Sequence, residues 1–359
     1  MRKIQFYKIF FLVCFWVFCA IFITFYEASV LGFESEIEGK HYSFLRSLIA
    51  VISTTLIGAT LLGSLEVLYL SKLLRKKAFG ITLIIKTTIY LMFMLFFISV
   101  VMLYIYSSEI NKPLLSRDVL ELYGGFLFSS RVVMVIIYWS IACLLALFIL
   151  QVSDKFGQGV LISFLFGKYH RPKEEDRIFM FMDLKSSTTF AEKLGHIKYS
   201  QFIQDCFFDI TDIITKYGAK IYQYVGDEVV LSWSIKEGIE QGHCLNTFFA
   251  YDTLLKSKRN YYEKKYGISP EFKAGLHLGK VTVAEVGEIK KELAYHGDVL
   301  NTAARIQGKC NDFQKRLLIS DAMKTKLQNQ QRLFAFSRIG DVSLKGKAKS
   351  LNLYAVEPV

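Results

Sequence analysis

The chain has 359 residues, of which 52% are hydrophobic and 21% are charged, and its formal net charge is +12. This much apolar surface excludes an intrinsically disordered chain, and a total of only 4 prolines excludes collagen-like and proline-rich architectures. The length is typical of about two domains. The basic excess favours polyanionic partners, which include nucleotides, nucleic acids and anionic lipids.

Four stretches nearly free of charge lie in the first part of the chain, at residues 9–26, 47–65, 87–108 and 132–153. A helix of about 20 apolar residues crosses a bilayer core that is about 30 Å thick. The first stretch ends in bulky residues rather than at a small-residue cleavage site, so we interpret it as a retained helix and not as a signal peptide. We therefore predict a four-helix transmembrane domain over residues 1–153.

The flanking charges predict the orientation of these helices. Basic residues precede the first stretch, separate the second from the third and follow the fourth, whereas the other two loops are acidic or balanced. Lysine and arginine concentrate in cytoplasmic loops. We therefore expect an integral protein of the plasma or inner membrane, with its N-terminus and everything after residue 153 in the cytoplasm.

Few residues in the four stretches could carry chemistry. Glu66 and Lys86 lie near stretch ends, where their side chains are expected to extend to the membrane interface. The only histidine before His170 is His41, which excludes a haem held between facing axial histidines. The six cysteines have no metal-site or disulfide spacing. An anchor, a dimerisation surface and a sensor all remain open for this domain.

Residues 154–175 are predicted to be a connector. Gly157 and Gly159 interrupt the preceding helix, and an apolar run follows at residues 160–166. This run would either lie along the bilayer surface, beside basic residues that meet anionic headgroups, or pack against the next domain. Pro172 and the charged residues 173–177 mark the domain boundary.

The hydrophobic period changes from residue 177 onward and predicts an α+β domain over residues 176–359. We expect strands at 178–184, 219–225, 228–233, 272–277 and 281–286, and helices at 188–194, 197–217, 235–265 and 298–307. Short strands near 317–319, 333–337 and 351–356 would complete the domain. The order β-α-β-β-α-β is that of a split βαβ, ferredoxin-like sandwich.

Two carboxylates stand at the ends of neighbouring strands in this arrangement. Asp183 ends the first strand, and Asp227 lies in the tight turn of the following hairpin. Because the first strand lies beside that hairpin in a split βαβ sheet, both side chains would meet at one edge. Oxygen ligands suit Mg²⁺, and two such ions about 4 Å apart can promote phosphoryl chemistry. Alternatively, Asp183 caps the next helix and Asp227 forms an Asx turn.

Three segments together resemble the signature blocks of class III nucleotidyl cyclases. They are Phe181-Met182-Asp183-Leu184-Lys185-Ser186-Ser187-Thr188, Val225-Gly226-Asp227-Glu228 and Gly297-Asp298-Val299-Leu300-Asn301-Thr302-Ala303-Ala304-Arg305. Lys345-Gly346-Lys347 is similar to the late phosphate-binding lysine segment of that family. The resemblance covers roughly residues 176–356 and lies in the order and spacing of the blocks.

The resemblance implies a homodimer with composite sites. One protomer would hold two Mg²⁺ or Mn²⁺ ions with Asp183 and Asp227. The other would orient the ribose with Asn301 and neutralise the α-phosphate with Arg305. These two residues are four apart and share a helix face. Lys345 or Lys347 would hold the leaving triphosphate.

Two positions differ from those of family members that select adenine. For such a member, the resemblance implies a lysine at position 223 and an aspartate or threonine at position 294. Here Gln223 and Ala294 occupy them. An amide can pair with adenine through a donor and an acceptor, whereas Ala294 offers no side-chain partner, so recognition would move to Tyr295 or to backbone groups. Lys220 is expected on the opposite strand face, because its offset from Gln223 is odd.

The sequence thus favours a membrane-bound adenylate cyclase that converts ATP to cyclic AMP and pyrophosphate. A guanylate cyclase, a catalytically weak nucleotide-binding signalling module, and a transporter or redox protein with a nucleotide-binding domain are the alternatives. No basic, aromatic recognition helix appears, so we expect nucleoside triphosphate, a second copy of the chain and the lipid bilayer as partners, and no nucleic acid.

Overall fold

A computed structural model describes residues 3–31, 34–37, 40–75, 77–157, 159–343 and 350–359. The chain divides into two compact units, Met1–Phe156 and Gly157–Val359, which we call the helical unit and the sheet unit. The finer prediction of a connector over residues 154–175 stays a prediction.

Long helices dominate the helical unit, because a continuous apolar sequence can satisfy its backbone hydrogen bonds within a helix. Its elements are α1 (Lys3–Leu31), β1 (Glu34–Ile37), β2 (Lys40–Ser43), α2 (Phe44–Leu65), a π-helical turn (Glu66–Leu70), α3 (Ser71–Leu73), α4 (Phe79–Ile110), α5 (Arg117–Leu127) and α6 (Ser130–Phe156). Within the described residues, four stretches are long and apolar enough to cross a membrane: Gln5–Val30, Ser47–Leu73, Phe79–Ser108 and Val132–Phe156. The prediction of four apolar helices is confirmed.

The two ionisable residues that we expected at the membrane interface are instead buried inside the helical unit. Glu66 is 2% exposed and Lys86 is 5% exposed. Lys86 Nζ donates a hydrogen bond to Glu66 Oε1, and Ser71 Oγ donates to the same oxygen at 2.8 Å. The expectation was wrong because the π-helical turn, which begins at Glu66, and α4 place these side chains against each other.

The sheet unit alternates strands and helices. Its elements are α7 (Val160–Leu165), β3 (Lys173–Leu184), α8 (Ser187–Lys216), β4 (Lys220–Val225), β5 (Glu228–Ser234), α9 (Ile235–Ile239), α10 (His243–Ser257), α11 (Arg259–Tyr266), β6 (Phe272–Val286), β7 (Glu292–His296), α12 (Asp298–Gly308), β8 (Leu317–Ser320), α13 (Asp321–Lys326), β9 (Phe334–Val342) and β10 (Leu351–Pro358). Within α7 and just after it, Ile162, Leu165 and Phe166 are exposed, whereas Val160, Leu161 and Phe164 are half-buried.

The strands form one mixed sheet in the order β4-β5-β3-β6-β8-β10-β9, with β7 paired to the second half of β6. β3 is antiparallel to both β5 and β6, and β6 is parallel to β8. The first strand of the domain therefore lies at the centre, beside the β4–β5 hairpin. This is the predicted split βαβ arrangement, and the α+β fold class is confirmed.

Two local predictions were wrong, and one strand was missed. The helix expected over 235–265 is divided into α9, α10 and α11, because Gln241 and Gly242 adopt left-handed φ values of 50° and 67° between α9 and α10. The two strands expected to meet at Gly279 form one strand, since β3 pairs with residues on both sides of it. Strand β7 was not expected at all.

Each face of the sheet has its own core. On the first face, Met180, Leu231 and Trp233 pack with the inner sides of α8 and α10. On the second, Phe179, Phe181 and Val230 pack with Val299 and Ala303 of α12. We call the second the α12 face. Because side chains alternate along a strand, Asp183 follows Phe181 onto the α12 face.

Candidate active site

The strand register brings the two predicted carboxylates to one edge of the sheet. Asp183 pairs with Glu228 across β3 and β5, and Asp227 directly precedes Glu228 in the two-residue turn of the β4–β5 hairpin. Gly226 begins this turn with a φ of 60°, a conformation that glycine adopts without strain. The hairpin therefore holds Asp227 next to the end of β3, as the sequence predicted.

The charge of Asp227 acts on Asp183. Burial raises the pKa of Asp183, and the charge of Asp227 raises it further. Asp183 Oδ2 accepts a hydrogen bond from Gln307 Nε2 at 3.0 Å and lies 3.4 Å from Lys273 Nζ. Asp227 Oδ2 is buried and has no hydrogen-bond partner among the described residues. Such an oxygen costs free energy unless something binds to it.

Neither carboxylate serves a purely local role. The N-cap residue of α8 is Ser186, which adopts a left-handed φ of 60°, so Asp183 does not cap that helix. The buried oxygen of Asp227 likewise makes no turn hydrogen bond within the described chain. The alternative roles of helix cap and Asx turn therefore do not account for this pair.

Glu228 is a third acidic group at this edge, and the sequence analysis did not select it. It shares the α12 face with Asp183, because the two residues are directly paired. Burial and the charges of Asp183 and Asp227 raise the pKa of Glu228 to about 7. Glu228 directly follows Asp227 in the sequence and begins a paired strand, and this position could have identified it as a site residue.

Helix α12 presents two different sides. Gln307 reaches Asp183 of the same chain, whereas Arg305, two positions earlier, projects about 200° away around a helix of 3.6 residues per turn. Asn301 is exposed and Arg305 is half-buried. Both project from the side of α12 roughly opposite to Gln307, the residue of this helix that contacts Asp183.

The position of α12 on the sheet depends on Gly275. A Cβ atom at this position would lie 2.2 Å from the Gln307 backbone nitrogen and 2.6 Å from the Ala303 carbonyl oxygen. The helix backbone thus lies directly on β6, which brings Gln307 to Asp183. This requirement comes from tertiary packing and leaves no local sign in the sequence.

Of the two altered positions, only Gln223 lies on the α12 face, where it pairs with Val230 and is exposed. Ala294 pairs with Ala284 and lies on the other face, whereas Tyr295, its neighbour, pairs with Val283 and packs on the α12 face. Lys220 also lies on the α12 face, contrary to expectation, because a β-bulge interrupts β4 between Ile221 and Gln223. Lys345 and Lys347 lie outside the described residues.

Divalent cations fit the acidic edge. Two neighbouring carboxylates, of which Asp183 has a raised pKa and Asp227 has an unpartnered buried oxygen, are suited to bind a cation. Within the described residues no cluster of three or more histidine, cysteine, aspartate or glutamate side chains is arranged to hold a metal ion. The remaining ligands would therefore be phosphate oxygens and water, as is usual for Mg²⁺.

The family model described as adenylate and guanylate cyclase catalytic domain matches residues 170–358. "Adenylate cyclase 2" of Rhizobium meliloti (strain 1021) is 31% identical over 205 residues, which are 57% of this chain and 56% of that protein. "Adenylate cyclase 1" of the same organism is 26% identical over 183 residues, which are 49% of this chain and 27% of that protein. The chain thus spans less than two thirds of either relative.

Among solved structures, a bacterial light-regulated adenylyl cyclase is 23% identical, with a TM-score of 0.46 over 52% of this chain and 53% of that one. The adenylyl cyclase CyaB from P. aeruginosa is 19% identical, with a TM-score of 0.46 over 52% of this chain and 96% of that one.

Proposed function

The chain belongs to the adenylate and guanylate cyclase catalytic domain family, and we propose that it is a membrane-bound adenylate cyclase. In the proposed reaction the 3′-oxygen of ATP bonds to the α-phosphorus, and the bond from that phosphorus to the bridging oxygen breaks. Cyclic AMP and pyrophosphate are released, and the 3′-hydroxyl proton passes to solvent. Relatives named as adenylate cyclases support the choice of ATP.

The observation that carries the proposal is the pair Asp183 and Asp227. These carboxylates lie at one open edge of the sheet, and one buried oxygen of Asp227 lacks a partner. They would hold two Mg²⁺ or Mn²⁺ ions against the phosphates. When bound, such ions stabilise phosphate charge and lower the pKa of an attacking hydroxyl. Lys273 neutralises part of the charge on Asp183.

The site would be completed by a second copy of the chain. Asn301 and Arg305 are four residues apart on α12 and project from the side roughly opposite to Gln307, which contacts Asp183 of the same protomer. Arg305 of the partner subunit would neutralise charge that develops on the α-phosphate, for which a guanidinium fork is suited. Asn301 of the partner subunit would orient the ribose. Lys345 or Lys347 would hold the leaving pyrophosphate, and Gln223 would contact the base.

The helical unit is proposed to anchor the enzyme. Its four apolar helices meet the length and composition of membrane spans. The charges of the flanking loops favour an N-terminus and a sheet unit that both lie in the cytoplasm.

Purified full-length protein supplied with ATP and with GTP in separate reactions, with Mn²⁺ and product identification by mass, tests the activity. We expect cyclic AMP from the wild type and at least a thousandfold less from Asp183→Ala or Asp227→Ala. Asp176→Ala is the matched control, because Asp176 is an exposed aspartate of the same strand. Turnover that survives in both site variants would reject the assignment of the carboxylates.

The same assay separates the alternatives. Cyclic GMP as the main product would indicate a guanylate cyclase. Ala294, on the face of the sheet away from α12, offers no side-chain partner that would favour adenine. Nucleotide binding without any cyclic product would indicate a signalling module.

Shared sites predict complementation. Inactive Asp183→Ala chains mixed with inactive Asn301→Ala chains form one intact site per mixed dimer and should recover up to about half of the wild-type activity per mixed dimer. If mixing restores nothing while the mixed dimer is detected, the site is not shared.

A further inference from the structure

Strand β4 places Lys220 on the face where the base is proposed to bind. Lys220 pairs with Ser232, and Gln223 pairs with Val230. The two partners on β5 are two residues apart, whereas the two residues on β4 are three apart. The additional residue is Tyr222, which makes the β-bulge. Because directly paired residues of antiparallel strands project to the same side, Lys220 and Gln223 share the α12 face.

An aromatic wall lies between and behind these side chains. The rings of Tyr222 and Tyr295 are 5.0 Å apart, and Phe179 lies 5.3 Å from Tyr295. Tyr222 and Tyr295 are only half-buried, and Lys220 and Gln223 beside them are exposed. This part of the α12 face thus combines flat apolar surface with polar side chains and remains accessible.

Lys220 lies beside a second cation. Arg177 Nη2 donates to Ser232 Oγ at 2.8 Å, and the guanidinium lies 5.1 Å from the centre of the Tyr295 ring. Arg177 is 4% exposed, and its Nε has no hydrogen-bond partner among the described residues. Partial desolvation and, next, the charge of Arg177 lower the pKa of Lys220. The carboxylates of Glu237 and Glu175, the second of which accepts from Arg177 Nη1 at 3.1 Å, act in the opposite direction. The exposed Lys220 ammonium can donate a hydrogen bond to a ligand on this face.

We propose that Lys220 is a specificity-determining residue that recognises the purine base together with Gln223, an inference that rests on the proposed function. Adenine presents an amine donor and ring-nitrogen acceptors. The Gln223 carbonyl accepts from the amine, and Lys220 donates to a ring nitrogen, while the Tyr222 and Tyr295 rings lie against the base. This pair compensates for Ala294, which projects to the other face of the sheet.

The test replaces Lys220 by methionine, which keeps most of the side-chain length and removes the charge. Lys220→Met should lower kcat/KM for ATP by about tenfold or more, the size of one charge-assisted hydrogen bond, and should reduce the ATP-to-GTP preference. Lys216→Met is the matched control, because Lys216 is an exposed lysine at the end of α8, away from this face. Since Lys220 is exposed, its replacement should not disturb folding.

A binding measurement keeps the test independent of turnover. Displacement of a fluorescent ATP derivative by ATP or GTP, with Ca²⁺ as the cation, should show weaker ATP binding for Lys220→Met and not for Lys216→Met. Unchanged ATP affinity and an unchanged preference in Lys220→Met would overturn the role of Lys220 while leaving the cyclase proposal intact. If the wild type binds ATP more tightly than Lys220→Met but forms no cyclic product, the cyclase proposal is overturned. The role of Lys220 in base recognition is then retained.

Discussion

A lysine contacts a carboxylate in each unit, and the two pairs differ in burial and in their surroundings. In the helical unit, Glu66 and Lys86 are buried among helices whose outer surfaces carry exposed Phe18 and Met92. The polar groups lie inside and the apolar side chains outside, which is the pattern expected of helices surrounded by lipid. In the sheet unit the large apolar side chains, Trp233 and Phe179 among them, are inside.

The pair in the sheet unit has another character. The side chains of Lys273 and Asp183 retain 14% and 24% of their exposure, and a second carboxylate, Asp227, lies beside them. A fully buried pair cannot exchange its partner without exposing a charge to apolar surroundings. A pair at an open edge can exchange its lysine for another cation. The same two chemical groups thus form a buried pair between helices in one unit and lie at the proposed metal site in the other.

The largest effect is expected when the buried pair is broken. Lys86→Met leaves Glu66 as an uncompensated buried charge and should lower the free energy of unfolding of the helical unit by about 3–5 kcal/mol. Thermal unfolding in detergent, followed by the fluorescence of Trp16 and Trp139, measures this loss. Lys72→Met, at an exposed lysine of α3, is the control. The double variant Glu66→Gln with Lys86→Met should recover much of the loss, and an unaffected single variant would contradict the role of the pair.

In the sheet unit, the close approach of α12 to β6 should be the most sensitive point. Gly275→Ala pushes a methyl group into the backbone of α12 and should cost about 1–3 kcal/mol, with a loss of cyclase activity as Gln307 moves from Asp183. Gly308→Ala is the matched control, since no atom lies within 4 Å of the added Cβ. Equal stabilities of the two variants, measured by the fluorescence of Trp233, would refute this packing argument.

The ion pair between α8 and α11 predicts a pH-dependent contribution of intermediate size. Asp205 accepts hydrogen bonds from Tyr261, Lys265 and Tyr266 at 2.6–2.8 Å. Although burial alone would raise the pKa of Asp205, these hydrogen bonds, first among them that from Lys265, bring it well below its ordinary value. A pKa lowered by folding stabilises the protein above the unfolded-state pKa of about 4, and this stabilisation is lost as the pH falls below that value.

Asp205→Asn should therefore reduce the free energy of unfolding by about 2 kcal/mol at neutral pH, the size of hydrogen bonds to a charged group. The difference from wild type should become smaller below about pH 4. Urea unfolding at several pH values measures it, with Asp176→Asn as the exposed control. A difference that stays constant with pH would show that the charge of Asp205 is not the source.

The smallest effect on stability is expected for the open pair. Lys273→Met should change the free energy of unfolding by about 1 kcal/mol or less, because the pair retains contact with solvent. The same substitution removes the lysine ammonium beside Asp183 Oδ2, so Mn²⁺ should bind more tightly and half-saturate the site at a lower concentration. Paramagnetic resonance of bound Mn²⁺ measures this, and weaker Mn²⁺ binding would show that Lys273 supports the site rather than competes for it.

Local pattern was enough to predict much of this molecule. Long apolar runs predict helices without reference to any other segment, so the four helices of the helical unit were identified from their length. The alternation of strands with helical periodicity predicted the split βαβ order, and that order placed Asp183 beside the hairpin that carries Asp227. The chemical types of the site residues follow from the sequence directly.

Contacts between distant segments decided the rest. The bulge at Tyr222 exists only relative to β5, so counting residues along β4 placed Lys220 on the wrong face. Gln307 reaches Asp183 only because α12 lies on Gly275, and Glu66 is buried only because α4 brings Lys86 to it. The sequence determines which chemical groups a chain has and the local periodicity of its hydrophobic residues. Strand register and burial depend instead on surfaces that only the folded chain brings together.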